Sequence, residues 1–205
     1  NISDVSQVEI LSGAFSAEYG QAQSGVVNIT TKTGGDKLSG NFEFKTDNGL
    51  PGFDNSYNTD YLSFTLGGPV PLLGSKLNFF TSGNINRTDT WLNNGRTRKK
   101  LNRLGLDLNE RQDNNVNLNA KLNYNISDQI NIILSYNDAY KQWSNYNWMW
   151  HLAPDNMAEF NRQTNRYNLR LNHFVSKSTF YNLNVGYMTV KYNASIDGSN
   201  EPDDW

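Results

Sequence analysis

The sequence predicts an almost all-β chain, a train of antiparallel strands preceded by a small α+β segment. Three observations carry that expectation. Apolar and polar residues alternate with period two through most of the chain, most clearly from Val116 to Ile126. The alternating stretches are separated by segments rich in Gly, Asn, Asp and Pro, the residues that favour turns. The apolar runs are only a few residues long, far short of the roughly 20 that a membrane-spanning helix needs.

Composition narrows the function classes. With no Cys, metal–thiolate and thiol chemistry and a disulfide framework are excluded, and a net charge of −2 offers no basic field for nucleic acid. The chain holds 32 Asn beside 11 Tyr, 10 Phe and 5 Trp, an unusual balance for a cytosolic enzyme. Residues 1–7 lack the charged start and apolar run of a signal peptide, so an exported protein would carry this chain as an internal piece of a longer precursor.

The first element is Val8 to Thr33. Its first four and last eight residues read as strands, the latter rich in β-branched residues, and Phe15 to Tyr19 between them have helical composition. This reads as a compact β-α-β unit, with Gly13, Gly20 and Gly25 placed where the chain must change direction. Residues 34–37 then form a short link to the strand train of 38–205.

In the first strand of that train Leu38, Gly40, Phe42 and Phe44 share a face. A loop from Asp47 to Thr59 leads to the second, where Leu62, Phe64 and Leu66 alternate with polar neighbours. Pro69 and Pro71 cannot donate ladder hydrogen bonds, so the sheet is expected to break there. Leu77, Phe79, Thr81, Gly83 and Ile85 mark the third strand, and a polar loop from about Asp89 to Asn114 follows. The fourth sets Val116, Leu118, Ala120, Leu122, Tyr124 and Ile126 against Asn117, Asn119, Lys121, Asn123 and Asn125. The fifth carries Ile130, Ile132, Leu134, Tyr136 and Tyr140. Beyond the loop from Ser144 to Arg162, the sixth carries Tyr167, Leu169 and Leu171, and the seventh Tyr181, Leu183, Val185 and Tyr187.

Connection lengths add an inference that no single strand supplies. Connections after strands two, four and six are short, whereas those after one, three and five are long and polar. In an up-and-down sheet these lie at opposite ends, the arrangement of a transmembrane β-barrel with short turns on one side of the membrane and long loops on the other.

The first element also resembles a known family. Val8, Glu9, Ile10, Leu11, Gly13, Ser16, Ala17, Tyr19, Gly20, Gly25, Val26, Val27, Asn28, Ile29, Thr31 and Lys32 follow the order of the box that ends the plug domain of TonB-dependent outer-membrane receptors. Ala14 and Ser24 depart from it. The Gly68 to Lys76 turn is similar to the first inner turn of those receptors' barrels, particularly in the Bacteroidetes-like branch. The resemblance implies that residues 1–33 end a plug, residues 34–37 link it, and residues 38–205 supply the first seven strands of a 22-stranded barrel. It implies a bacterial outer-membrane protein that meets lipid and lipopolysaccharide, binds a substrate outside and takes it into the periplasm with energy delivered through TonB. The TonB-contacting segment would lie upstream. Iron chelates, cobalamin, oligosaccharides and peptides are all open as substrate. The box residues Gly13, Tyr19, Gly20, Gly25 and Asn28 would serve plug packing. The reading from another class is a secreted, soluble β-rich adhesin or carbohydrate-binding module.

Candidate site residues are few. No nucleophile, phosphate-loop or paired-carboxylate pattern emerges, so no enzyme, cofactor or metal is expected. The basic run Arg96, Arg98, Lys99, Lys100 and Arg103 suits either lipopolysaccharide phosphates or a solvated loop. The acidic group Asp197, Glu201, Asp203 and Asp204 lacks the spacing of a calcium loop. Tyr146, Trp148, Trp150 and His151 combine aromatic faces with polar atoms and form the candidate ligand-binding group, with an interfacial girdle as the other reading. Trp143 belongs by its odd number to the face opposite Tyr136 and Tyr140, and Tyr140 suits the girdle.

Overall fold

The computed structural model describes residues 4–11, 26–47, 57–71, 73–89, 98–103, 105–144, 146–153 and 156–196. Regular structure among them is almost entirely strand. β1 (Val5–Leu11) and β2 (Val26–Thr31) come first, then β3 (Ser39–Thr46), β4 (Asp60–Val70) and β5 (Gly74–Thr88). A hairpin of β6 (Lys99–Arg103) and β7 (Leu106–Arg111) precedes β8 (Asp113–Ser127), β9 (Ile130–Ser144), β10 (Glu159–Ser176) and β11 (Thr179–Ser195).

β1 and β2 pair with each other antiparallel, Val8 opposite Ile29 and Glu9 opposite Asn28. The β-α-β expectation is therefore corrected for its strands, which form one antiparallel pair. Phe15–Tyr19 lie outside the described residues, as do Gly13, Gly20 and Gly25 of the box.

The other long strands form one antiparallel meander, ordered β3, β4, β5, β8, β9, β10, β11. Among the described residues it is open, with β3 and β11 as its edges, and not a closed barrel. Registers carry each strand's apolar stripe onto its neighbour: Phe42 faces Phe64, Phe79 faces Leu122, Leu122 faces Leu134, Leu134 faces Leu169, and Leu169 faces Val185. A shift of one residue would turn a strand's apolar set to the wrong face, so the agreement across seven strands fixes the register. The opposite face gathers most of the lysines and arginines and many of the amides, although Arg87, Asn114, Gln142 and Lys191 fall in step with the apolar stripe and edge strand β11 adds Met188, Val190 and Tyr192 to the polar side. Trp143 lies on that polar face, opposite Asp113 and Phe160, as its odd number requires.

Several boundaries differ from the expected ones. β5, β8 and β9 each run 15 residues, and β10 runs 18. β4 continues through Pro69, opposite Asn78, to Val70 before the register shifts, so the sheet does not break at the first proline. The expected loop from Asp89 to Asn114 contains the β6–β7 hairpin and ends with β8 already begun. Ser144 belongs to β9 and Glu159 to β10, which leaves residues 145–158 as their connection.

The sorting of connections holds. Asp128–Gln129 joins β8 to β9, Lys177–Ser178 joins β10 to β11, and residues 71–73 join β4 to β5. The connections at the other end are residues 47–59, 89–112 and 145–158. The long-loop end is tied together by polar contacts. Asp89, only 2% exposed, accepts from Arg98, from Asn58 Nδ2 and from the Gln112 backbone N–H, while Arg111 reaches Asp60 at 2.9 Å and the Asn58 carbonyl at 2.7 Å.

The link between the two sheets is also a packed element. A Cβ on Gly34 would lie 2.0 Å from the Phe79 carbonyl oxygen and 2.9 Å from that of Gly68, so the backbone of the link rests directly on β4 and β5. Only glycine permits so close an approach.

Candidate ligand-binding face

The polar face of the seven-stranded sheet holds the base of the β1–β2 pair. Asn119 on β8 donates to the buried Asp4 carboxylate at 3.0 Å and to Ser82 Oγ at 3.3 Å. Two residues on, Lys121 Nζ donates to the Thr31 carbonyl at 2.9 Å and to the Thr31 hydroxyl. The Lys32 backbone N–H closes the base by donating to the Asp4 carbonyl at 2.8 Å. Side chains that alternate away from the apolar stripe of β8 thus find partners on the smaller sheet. A cavity of about 240 Å³ lies beside these contacts, lined by Asp4, Thr31, Asn119, Lys121, Asn137, Arg166 and Asn168 among others.

Ten of the sixteen box residues are described, Val26, Val27 and Thr31 of β2 and Lys32 just after it among them. Val8, Glu9, Ile10 and Leu11 lie in β1, and Asn28 and Ile29 in β2. Asn28 Nδ2 donates to Glu9 Oε2 at 3.4 Å across the pair, a packing contact rather than a ligand site. Val8, Ile10, Val27 and Ile29 are each more than half exposed, an apolar surface left uncovered by the described residues.

The aromatic loop group is partly assembled. Asn147 caps a single 3₁₀ turn, Trp148–Trp150, its side chain accepting from the Met149 N–H. That turn brings the Trp148 and His151 rings into a stack 5.1 Å apart, and Tyr146 meets Trp148 edge-on at 6.4 Å. Trp148 is 71% exposed and Trp150 46%. The loop therefore presents ring faces to its surroundings at the long-loop end of the sheet.

A second aromatic group escaped sequence reading. Trp143 stacks on Phe160 at 5.5 Å, Tyr192 lies 6.2 Å from Trp143 and 6.4 Å from Phe160, and Lys141 Nζ stands 5.4 Å over the Trp143 ring. The rings come from β9, β10 and β11 and sit on the polar face near the long-loop end. The signal was parity: all three occupy positions in step with the polar residues of their strands.

Two members of the basic run are engaged, while Lys100 is exposed. Arg98 pairs with buried Asp89 at 2.6 Å and Lys99 with Glu159 at 3.6 Å, so these two cations hold the hairpin to the loop end. Arg96 and the acidic group at 197–204 lie outside the described residues. Among the described residues no cluster of three or more His, Asp or Glu could hold a metal ion. His173 on β10, opposite Tyr181 on β11, contacts the Tyr181 hydroxyl at 2.9 Å. No protein-family model matches the chain, and no curated protein matches it significantly.

Proposed function

We infer that this chain is part of a TonB-dependent outer-membrane uptake receptor: the end of a plug, followed by seven transmembrane strands of a barrel. One observation carries the reading. Large apolar side chains are exposed across one face of the sheet, among them Phe42 (67%), Leu134 (48%) and Tyr187 (64%), while the buried apolar residues among those described are Phe80, Leu101, Val116 and Met157. A water-soluble sheet covers such a face, and a continuous apolar surface of this extent marks contact with lipid or another protein. On β8 the apolar-face positions run from Val116, whose own side chain is 4% exposed, to Ile126, exposed from Leu122 on, about 34 Å along the strand and about 24 Å in height at a 45° tilt. That height matches the apolar band of an outer-membrane barrel, about 25 Å.

Three further observations support the reading. Short and long connections are sorted to opposite ends, the small β1–β2 sheet rests on the polar face where a plug would sit, and β1 and β2 carry box residues. In this account the exposed loop rings Tyr146, Trp148 and Trp150, with His151, face the outside and contact substrate before it reaches the plug. The protein binds and transports, and performs no covalent chemistry. The test is partition of the full-length protein between membrane and aqueous fractions. Recovery with the outer membrane and a need for detergent are expected, whereas a folded monomer in plain buffer would overturn the reading in favour of a secreted adhesin or binding module.

A further inference from the structure

The polar face carries a directional row of cations. Arg162, Arg166 and Arg170 recur every fourth residue along β10, all in step with the polar residues, and all are exposed. At about 3.4 Å per residue they stand about 14 Å apart and span about 27 Å. Arg162 lies at the long-loop end, directly opposite Lys141 on β9. Toward the short-turn end, Lys121 on β8 is level with Asn168, between Arg166 and Arg170. Among the described residues the acids on this face are Asp113, already 3.0 Å from Lys141, Glu43, paired with Lys45, and Asp4 at the base of the smaller sheet, which accepts from Asn119. The row is therefore cationic along its whole length, and its middle member Arg166 lines the cavity beside the β1–β2 pair together with Lys121.

Two other features narrow the occupant. The Trp143, Phe160 and Tyr192 rings stand at the upper end of the row beside Lys141 and Arg162, and ring faces of this kind stack on sugars. Asn137, level with Arg166, and Asn168, between Arg166 and Arg170, line the same cavity; their amide nitrogens donate to Asn119 and Asn184, and their carbonyl oxygens can accept from hydroxyl groups. Guanidinium forks select carboxylate or sulfate over neutral groups.

We propose that the polar face of β8–β11 conducts an acidic oligosaccharide from the Trp143–Phe160–Tyr192 rings past Arg162 and Arg166 to Lys121 and Arg170. This deepens the receptor reading by assigning it a substrate class. The experiment measures binding to the detergent-purified full-length protein of an oligogalacturonate about as long as the row, with a neutral dextrin and a polyglutamate of equal length as comparisons. The acidic sugar is expected to bind best, to quench Trp143 fluorescence, and to weaken at least tenfold in Arg166→Gln/Arg170→Gln. Arg166→Lys/Arg170→Lys, which retains the charge, should lose less than the glutamine pair. Equal binding of dextrin, preference for polyglutamate, or equal loss in the lysine and glutamine pairs would each overturn the proposal. Membrane partition is scored separately: a protein that binds the acidic sugar but stays out of the membrane defeats the receptor reading alone, and one that inserts but ignores the sugar defeats this proposal alone.

Discussion

Replacing Leu122 by Arg tests the lipid-facing assignment at its most sensitive point. Leu122 lies close to the centre of the Val116–Ile126 stripe, is 42% exposed, and is flanked by Phe79 on β5 and Leu134 on β9. The stripe is about 24 Å high at a 45° tilt, so Leu122 is within about 3 Å of the midplane. Arginine on the lipid face of a barrel at that depth costs about 2–4 kcal/mol, which lowers the folded-to-unfolded ratio by roughly one and a half to three powers of ten. The control belongs on the other face of the same strand. Asn119 is engaged with Asp4 and Ser82, which makes Asn117, opposite Asn84 and Ala139, the cleaner position. Urea titration of the full-length protein in lipid vesicles should show the loss for Leu122→Arg and a change under about 1 kcal/mol for Asn117→Arg. Equal effects at the two sites would refute the assignment of faces.

Further outcomes follow from other contacts. Residues 1–205 expressed alone leave the backbone groups of β3 and β11 without strand partners, so size-exclusion chromatography should find aggregate rather than a soluble, cooperatively melting monomer. Gly34→Ala forces the link away from the Phe79 and Gly68 carbonyls and should cost about 1–3 kcal/mol by urea titration, whereas Gly35→Ala, with open space around its Cβ, should be close to neutral. Asp89→Ala removes the buried acceptor shared by Arg98, Asn58 and the Gln112 N–H, and should cost about 3 kcal/mol and increase proteolysis of the long loops. Trp148→Ala with Trp150→Ala should weaken substrate binding while leaving the amount of folded protein in the membrane unchanged; unchanged binding with failed assembly would make those rings structural.

The strand train was legible because a sheet with one apolar and one polar face writes its pleat directly into the sequence, as Val116 to Ile126 does. Strand ends were not legible for the same reason. Toward the long-loop end, Asn114, Asp138 and Gln142 occupy apolar-face positions, so the alternation fades while the ladder continues to Asp113 and Ser144. Pro69 reads as a break because it lacks a donor, yet β4 carries it opposite Asn78 and shifts register only at Val70. The β6–β7 hairpin depends on Arg98 meeting Asp89 and Lys99 meeting Glu159, contacts that local composition does not announce. At the site, the exposed loop rings could be named from sequence. The Trp143, Phe160 and Tyr192 group could not, because it requires three strands in register. The arginine row is spaced four residues apart in the sequence, but its common face follows only once the register of β10 is set by the apolar positions.

The most direct test of the central claim is the sidedness of the two ends of the sheet. Residues 1–205 contain no cysteine, so the unsubstituted full-length protein serves as the control for any label taken up elsewhere. Met149, 86% exposed beside the loop rings, and Asp128, exposed in the turn between β8 and β9, mark the two ends. Intact cells carrying the full-length protein are treated with a membrane-impermeant maleimide. Met149→Cys should be labelled at once, and Asp128→Cys only after the outer membrane is permeabilised. Labelling of both on intact cells, or of Asp128→Cys alone, would contradict a sheet that crosses the membrane with its long loops outside.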